Sequence, residues 1–211
     1  MHFDLIGPAG RLEALIDLPA SLPRAAAVVA PPHPDFGGTL RTRVVHEVGK
    51  ALARAGCAAL RVNYRGVGVS EGTWSSDDPS CAVADVSAAL AAVRDRYPGL
   101  ALWSVGYSFG AWVATVASHD EAEVSAVVVI APPVDHYDFS LLEQSRAAKF
   151  IVQAEFDELT PAKTAQRFYA TLPEPRELVV IEGADHAFDG HALEVGDAIE
   201  ELLGDFGDRV A

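Results

Sequence analysis

The chain has 211 residues, half of them apolar and 22% charged, which is the mixture of a soluble globular protein with a substantial core. Its formal net charge of −14 argues against nucleic acid and against an anionic membrane surface, because few basic side chains are available to meet phosphates. The two cysteines, Cys57 and Cys81, make neither a disulfide framework nor a zinc pattern, and the longest apolar run, 124–134, is too short to span a bilayer. Residues 1–7 lack the basic start and apolar core of a signal peptide, so one cytoplasmic domain over 1–211 is the expectation.

Residues 3–6 and 12–18 read as two strands joined by the turn Gly7-Pro8-Ala9-Gly10, a hairpin. Ala25 to Ala30 is a continuous apolar run suited to a strand covered on both faces. It ends in Pro31-Pro32-His33-Pro34-Asp35-Phe36-Gly37-Gly38, which cannot be regular structure. Apolar residues at Leu40, Val44, Val45, Val48, Ala51 and Leu52 then have helical spacing, and Gly56 stops the helix. A strand over 58–62 leads into the Gly- and Ser-rich loop 63–72. A helix carries Val83, Val86, Leu90 and Val93, and a strand covers 100–105. Further strands are expected at 124–130, 150–152 and 178–181. Between them come a short connection over 134–148 and a helix over 161–172, with Thr160 as cap and Pro161 first. A last helix runs 190–203. Strand and helix therefore alternate, which means crossover units and a mostly parallel twisted sheet of about eight strands with helices on both faces. Ligands on such sheets bind at the carboxyl ends of the strands, where every loop of chemical interest here falls.

The most informative stretch is Gly106-Tyr107-Ser108-Phe109-Gly110, between the apolar strand 100–105 and the Ala-rich helical segment 111–117. A serine on a sharp strand-to-helix turn is a nucleophile elbow. The glycines two before and two after it keep the crossing backbones from clashing. A serine hydroxyl needs a base, and the base needs an orienting acid. Among the seven histidines, His186 is the one in a late loop after a strand, in Gly183-Ala184-Asp185-His186-Ala187-Phe188, and it is the candidate base. The candidate acid is Asp157, with Asp135 as its rival; Glu155, Glu158 and Asp185 read as solvated loop charges. Ser108, Asp157 and His186 fall in one of the known triad orders. Backbone donors for developing oxyanion charge are expected from Phe109 and from Asp35 or Phe36, since Pro34 has no N–H. His33 reads as a residue that pins this loop. Tyr107, Phe36 and Tyr137 are the candidate substrate contacts, and Trp74 and Trp112 either line the site or belong to the core.

The motifs Pro32-His33-Pro34 with Gly37-Gly38, the loop Asn63-Tyr64-Arg65-Gly66-Val67-Gly68-Val69-Ser70-Glu71-Gly72, the elbow, Asp157 with Pro161, and 183–188 occur in the order of the α/β-hydrolase superfamily. Over essentially its whole length the chain resembles the small, lidless serine esterase-like hydrolases of bacteria. Ala154 stands where that pattern usually has glycine. The resemblance implies the α/β-hydrolase fold and hydrolysis of a small-molecule acyl substrate through an acyl-enzyme, without metal or cofactor. Only 134–148 lies where many relatives insert a cap domain, so an open, shallow site suited to short acyl groups is expected. The readings that compete are a carboxylic-ester hydrolase, the same machinery on a thioester, amide or peptide or in acyl transfer, and a binding protein on a hydrolase fold. The loop 65–72 lacks the third glycine of a dinucleotide motif, and Arg65 reads as a tie between loops.

Overall fold

The computed structural model describes the backbone of residues 1–210 and the side chains of residues 1–203. In chain order the elements are β1 (Leu5–Gly7), β2 (Gly10–Leu12), β3 (Ala14–Asp17), β4 (Ala25–Ala30), α1 (Arg43–Arg54), β5 (Cys57–Val62), α2 (Ser80–Arg96) and β6 (Ala101–Tyr107). These are followed by α3 (Phe109–His119), β7 (Val124–Ile130), α4 (Ser140–Gln144), β8 (Ala148–Ala154), α5 (Ala162–Thr171), β9 (Arg176–Ile181) and α6 (Ala192–Val210). Among the described residues, seven strands form one sheet in the order β3-β5-β4-β6-β7-β8-β9, and β1 pairs with β2 separately. All neighbours in the large sheet are parallel except β3, which runs antiparallel to β5. This is the mostly parallel α/β sheet with an N-terminal hairpin that the alternation of elements predicts.

The strands hold because they bury both faces. In β4 every residue is buried, and its alternate side chains divide between two cores. Ala25, Ala27 and Val29 join the core that α1 and α6 close with Val44, Val48, Val195 and Ile199. Ala26, Val28 and Ala30 join the core that α2 and α3 close with Val86, Leu90 and Val113. Period-two patterning on an all-apolar run thus gives two cores from one strand. Between β7 and β8 the chain makes only the five-residue α4 and no cap domain. Among the described residues, no helix is long and apolar enough to cross a membrane.

Three local predictions need correction. The stretch 31–38, read as irregular, holds a single 3₁₀ turn at Pro34–Phe36, opened by Pro34 at its first position and capped by His33, whose Nδ1 accepts the Asp35 N–H. The segment 12–18 is not one hairpin strand: it divides at Glu13, so β2 pairs with β1 while β3 joins β5. Glu13 turns away because the loop after β5 holds it. Its carbonyl accepts the Asn63 N–H at 2.8 Å, its N–H donates to Ser70 Oγ at 2.8 Å, and its carboxylate accepts from Asn63 Nδ2 and the Val69 N–H. Thr160 does not cap α5, where Pro161 takes the cap position in an extended conformation. Thr160 Oγ1 is buried with no hydrogen-bond partner among the described residues, and the Thr160 N–H donates to Asp157 Oδ1 at 2.8 Å.

Arg65 ties loops as the sequence suggests. The carboxylate of the fully buried Asp85 on α2 accepts from the Arg65 backbone N–H at 2.8 Å and from its guanidinium at 2.7–3.1 Å, and Arg65 Nη2 also reaches the Cys81 carbonyl. Removing one partner of such a pair strands the other without compensation. Asp85→Ala should therefore cost about 3–5 kcal/mol of stability, read as a lower midpoint in urea titration at unchanged slope. A midpoint within error of wild type would mean that the pair is not needed to hold the loop.

The sheet order locates the site. From β4 the chain moves to β5 on one side and later returns to β6 on the other, so the crossover direction reverses between β4 and β6. A crevice opens at the carboxyl ends of strands at such a switch point. Ala30 and Gly106 are register partners there, which sets the loop 31–38 directly beside the elbow.

Candidate active site

The elbow is built by steric necessity. A Cβ on Gly106 would overlap the Gly110 carbonyl, and one on Gly110 would overlap the Ala30 carbonyl, so β6, α3 and the end of β4 can meet this closely only through glycine. Ser108 itself sits at φ 55, ψ −121, a left-handed conformation that costs a non-glycine residue on the order of 1–3 kcal/mol. Its N–H donates to the Ile130 carbonyl at 2.8 Å, which anchors the strained residue to β7.

Ser108 Oγ lies 2.9 Å from His186 Nε2, and His186 Nδ1 lies 2.9 Å from Asp157 Oδ2. Asp157 is buried and accepts four hydrogen bonds. Oδ2 takes His186 Nδ1 and Gln153 Nε2 (2.9 Å), and Oδ1 takes the backbone N–H groups of Leu159 (2.9 Å) and Thr160 (2.8 Å). Burial by itself would raise its pKa, but these donors, led by His186 and the Thr160 amide, outweigh it and hold the carboxyl below the ordinary value. An ionised carboxylate only accepts, so it fixes the imidazole proton on Nδ1 and leaves Nε2 free to accept from the serine hydroxyl. Asp135 is exposed in the connection after β7 and makes no hydrogen bond to His186. The glycine-to-alanine difference at 154 is accommodated, since Ala154 is fully buried at the end of β8.

The loop after β4 is pinned from several sides. His33 Nδ1 accepts the Asp35 N–H at 3.2 Å, and its carbonyl accepts the N–H groups of Phe36 and Gly38 at 3.1 Å. The Pro31 carbonyl accepts from Tyr64 Oη at 2.7 Å, and Trp74 Nε1 donates to Asp35 Oδ1 at 2.8 Å. Rings complete the clamp: buried Phe109 meets His33, Tyr64, Trp74, Trp112 and Tyr137 at centroid distances of 4.8–5.9 Å. Such contacts join the loop and the elbow into one packed unit.

The sequence places the second oxyanion donor at Asp35 or Phe36. The Asp35 and Phe36 amides are already engaged within the loop, and Pro31, Pro32 and Pro34 have no N–H. The His33 amide and the Phe109 amide at the start of α3 donate to none of the described residues. Tyr137 is also placed differently. It stacks on Trp112 at 5.2 Å and lies outside the cleft lining, because the aromatic cluster behind the elbow takes its ring. Trp74 and Trp112 belong to the same cluster.

The cleft over Ser108 has a volume of about 470 Å³. Its walls are His33, Phe36, Gly38 and Thr42 on one side and Glu158, Leu159, His186 and Ala187 on the other, with Tyr107 and Ser108 at the base. Phe36 is 90% exposed and stands at the rim. Tyr107 is buried, and its hydroxyl donates to the His186 carbonyl at 2.8 Å. Burial and then the nearby Asp157 charge push its pKa up, so it stays a neutral donor that helps hold the histidine. Sequence reasoning took Glu158 as a solvated loop charge, and it is exposed, but on the lining of the cleft; it passed over Gln153. Nothing in their local pattern separates one loop carboxylate or one strand glutamine from others. Among the described residues no group of three or more His, Cys, Asp and Glu side chains is placed to hold a metal ion.

Comparison with known proteins agrees with this fold. Residues 37–145 match the family model described as "Serine aminopeptidase, S33". An uncharacterized protein of Rickettsia prowazekii is 32% identical over 93% of this chain and 86% of its own length. The structure of an α/β serine hydrolase homologue from Coxiella burnetii superposes with a TM-score of 0.88 at 32% identity, over 96% of this chain and 97% of that one. A lidless α/β serine hydrolase from Xanthomonas campestris gives 0.88 at 27% identity, over 98% and 94%. Fold, elbow and matching family together establish that the chain belongs to the α/β-hydrolase superfamily, within the serine hydrolase family that this model describes.

Proposed function

We propose that the protein is a serine hydrolase that cleaves short-chain carboxylic esters through an acyl-enzyme on Ser108. The observation that carries this reading is the unbroken row Ser108 Oγ, His186 Nε2, His186 Nδ1 and Asp157 Oδ2, with 2.9 Å at both junctions. In the proposed reaction His186 takes the hydroxyl proton as Ser108 Oγ bonds to the carbonyl carbon. The proton then passes to the leaving alkoxide, and water, activated by the same histidine, releases the acid. The unpartnered amides of Phe109 and His33 hold the oxyanion, and the amino end of α3 adds its dipole. The machinery needs no cofactor. A cleft of about 470 Å³ without a cap suits a small acyl substrate of the cytoplasm better than a long chain.

The test is a series of p-nitrophenyl esters from acetyl to lauryl. Activity should peak at the short chains and fall toward laurate; a rise toward the long chains would overturn the short-chain reading. The family model's description favours a second reading, an amide or peptide bond in place of the ester. Aminoacyl p-nitroanilides turned over faster than the esters would select it.

A further inference from the structure

We propose that Glu158 makes the cleft selective for charge, so that its preferred substrates are small esters bearing a cationic group such as a protonated amine. This deepens the ester-hydrolase reading and rests on it. Among the residues that line the cleft Glu158 is the one carboxylate, and none of them is lysine or arginine. The neighbouring acids are engaged elsewhere: Glu155 accepts from the Gly183 N–H, Asp185 from the Asp189 N–H and Asp35 from Trp74 Nε1. Glu158 Oε2 takes only a long 3.3 Å bond from the His186 N–H, and Glu158 forms no ion pair among the described residues. Glu158 is exposed, and that bond sets its carboxylate next to the histidine that touches Ser108 Oγ. A charge there acts, with the screening of an exposed group, on any charge the substrate carries near the scissile bond. The exposed Phe36 and Leu159 offer apolar contact for the rest of the molecule.

The experiment uses three p-nitrophenyl esters of matched length whose acyl chains end in trimethylammonium, a neutral branched alkyl group or a carboxylate. For wild type, kcat/KM should be about five- to tenfold higher for the cationic than for the anionic ester at low salt, and the ratio should shrink in 1 M NaCl. Glu158→Gln keeps an acceptor for the His186 N–H and should remove most of the preference, and Glu158→Lys should invert it. Glu123→Gln, an exposed acid just before β7 at the opposite end of the sheet, should leave the ratio unchanged. A wild-type ratio near one, or a ratio that Glu158→Gln does not move, overturns the assignment even while neutral esters are hydrolysed. No turnover of any ester and no labelling of Ser108 by a fluorophosphonate would instead remove the hydrolase reading, and this one with it.

Discussion

Ser108→Ala should lower kcat/KM on the best p-nitrophenyl ester by about 10⁴-fold or more, the scale on which losing a triad nucleophile acts, while the protein stays folded. The side chain is only part-buried, and its hydroxyl makes one hydrogen bond, to His186. Alanine removes that bond but keeps the backbone, including the N–H bonded to Ile130. Alanine at φ 55 is no easier to hold than serine, so thermal stability should change by no more than about 1 kcal/mol. Full activity in a pure, folded Ser108→Ala protein would show that the chemistry lies elsewhere. A collapse of the fold would show that the hydroxyl is structural.

Asp157→Asn should cost about 10⁴-fold in kcat, as expected when the orienting acid becomes an amide and the imidazole takes the wrong tautomer. Here the substitution also damages the fold. All four hydrogen bonds to this side chain come from donors, two on each oxygen. An asparagine NH₂ must therefore face either the Leu159 and Thr160 amides or Gln153 and His186, donor against donor. One or two buried bonds are lost, worth about 1–3 kcal/mol each. The pH dependence of stability gives a separate check. Because the folded-state pKa of Asp157 is depressed, its contribution is fully present above the ordinary carboxylate pKa. It is lost as pH falls through the lower folded value. Wild type should lose stability on acidification in that window, and Asp157→Asn should lose less. Parallel curves for the two proteins would show that the charge of this carboxylate does not support the fold.

Some features were legible because they depend on local sterics. The elbow is one: only glycine fits two residues either side of a serine where strand and helix backbones cross, so the requirement is written into five consecutive residues. The parallel sheet is another, since apolar runs such as Ala25 to Ala30 have no exposed face to offer a hairpin sheet. The division of 12–18 at Glu13 was not legible, because the loop that pulls Glu13 aside lies some 50 residues later. Thr160 followed by Pro161 has the pattern of a helix start, yet the helix begins one residue later, with Pro161 at the cap position and the Thr160 backbone tied to Asp157, a partner that the α5 pattern does not reveal.

The chain's own order of residues therefore determined the layered α/β fold, the elbow and the loops at the carboxyl edge of the sheet. Spacing, apolar periodicity and backbone sterics act within a few residues and do not depend on what packs against them. Tertiary structure alone brought Asp157 rather than Asp135 to His186, left the His33 amide rather than those of Asp35 or Phe36 without a partner among the described residues, drew Tyr137 into the cluster around Phe109, and set Glu158 on the cleft lining. Each of these is a competition between chemically similar groups. Hydrogen bonds and burial from segments distant in the sequence settle it, and those partners meet only when the sheet is assembled.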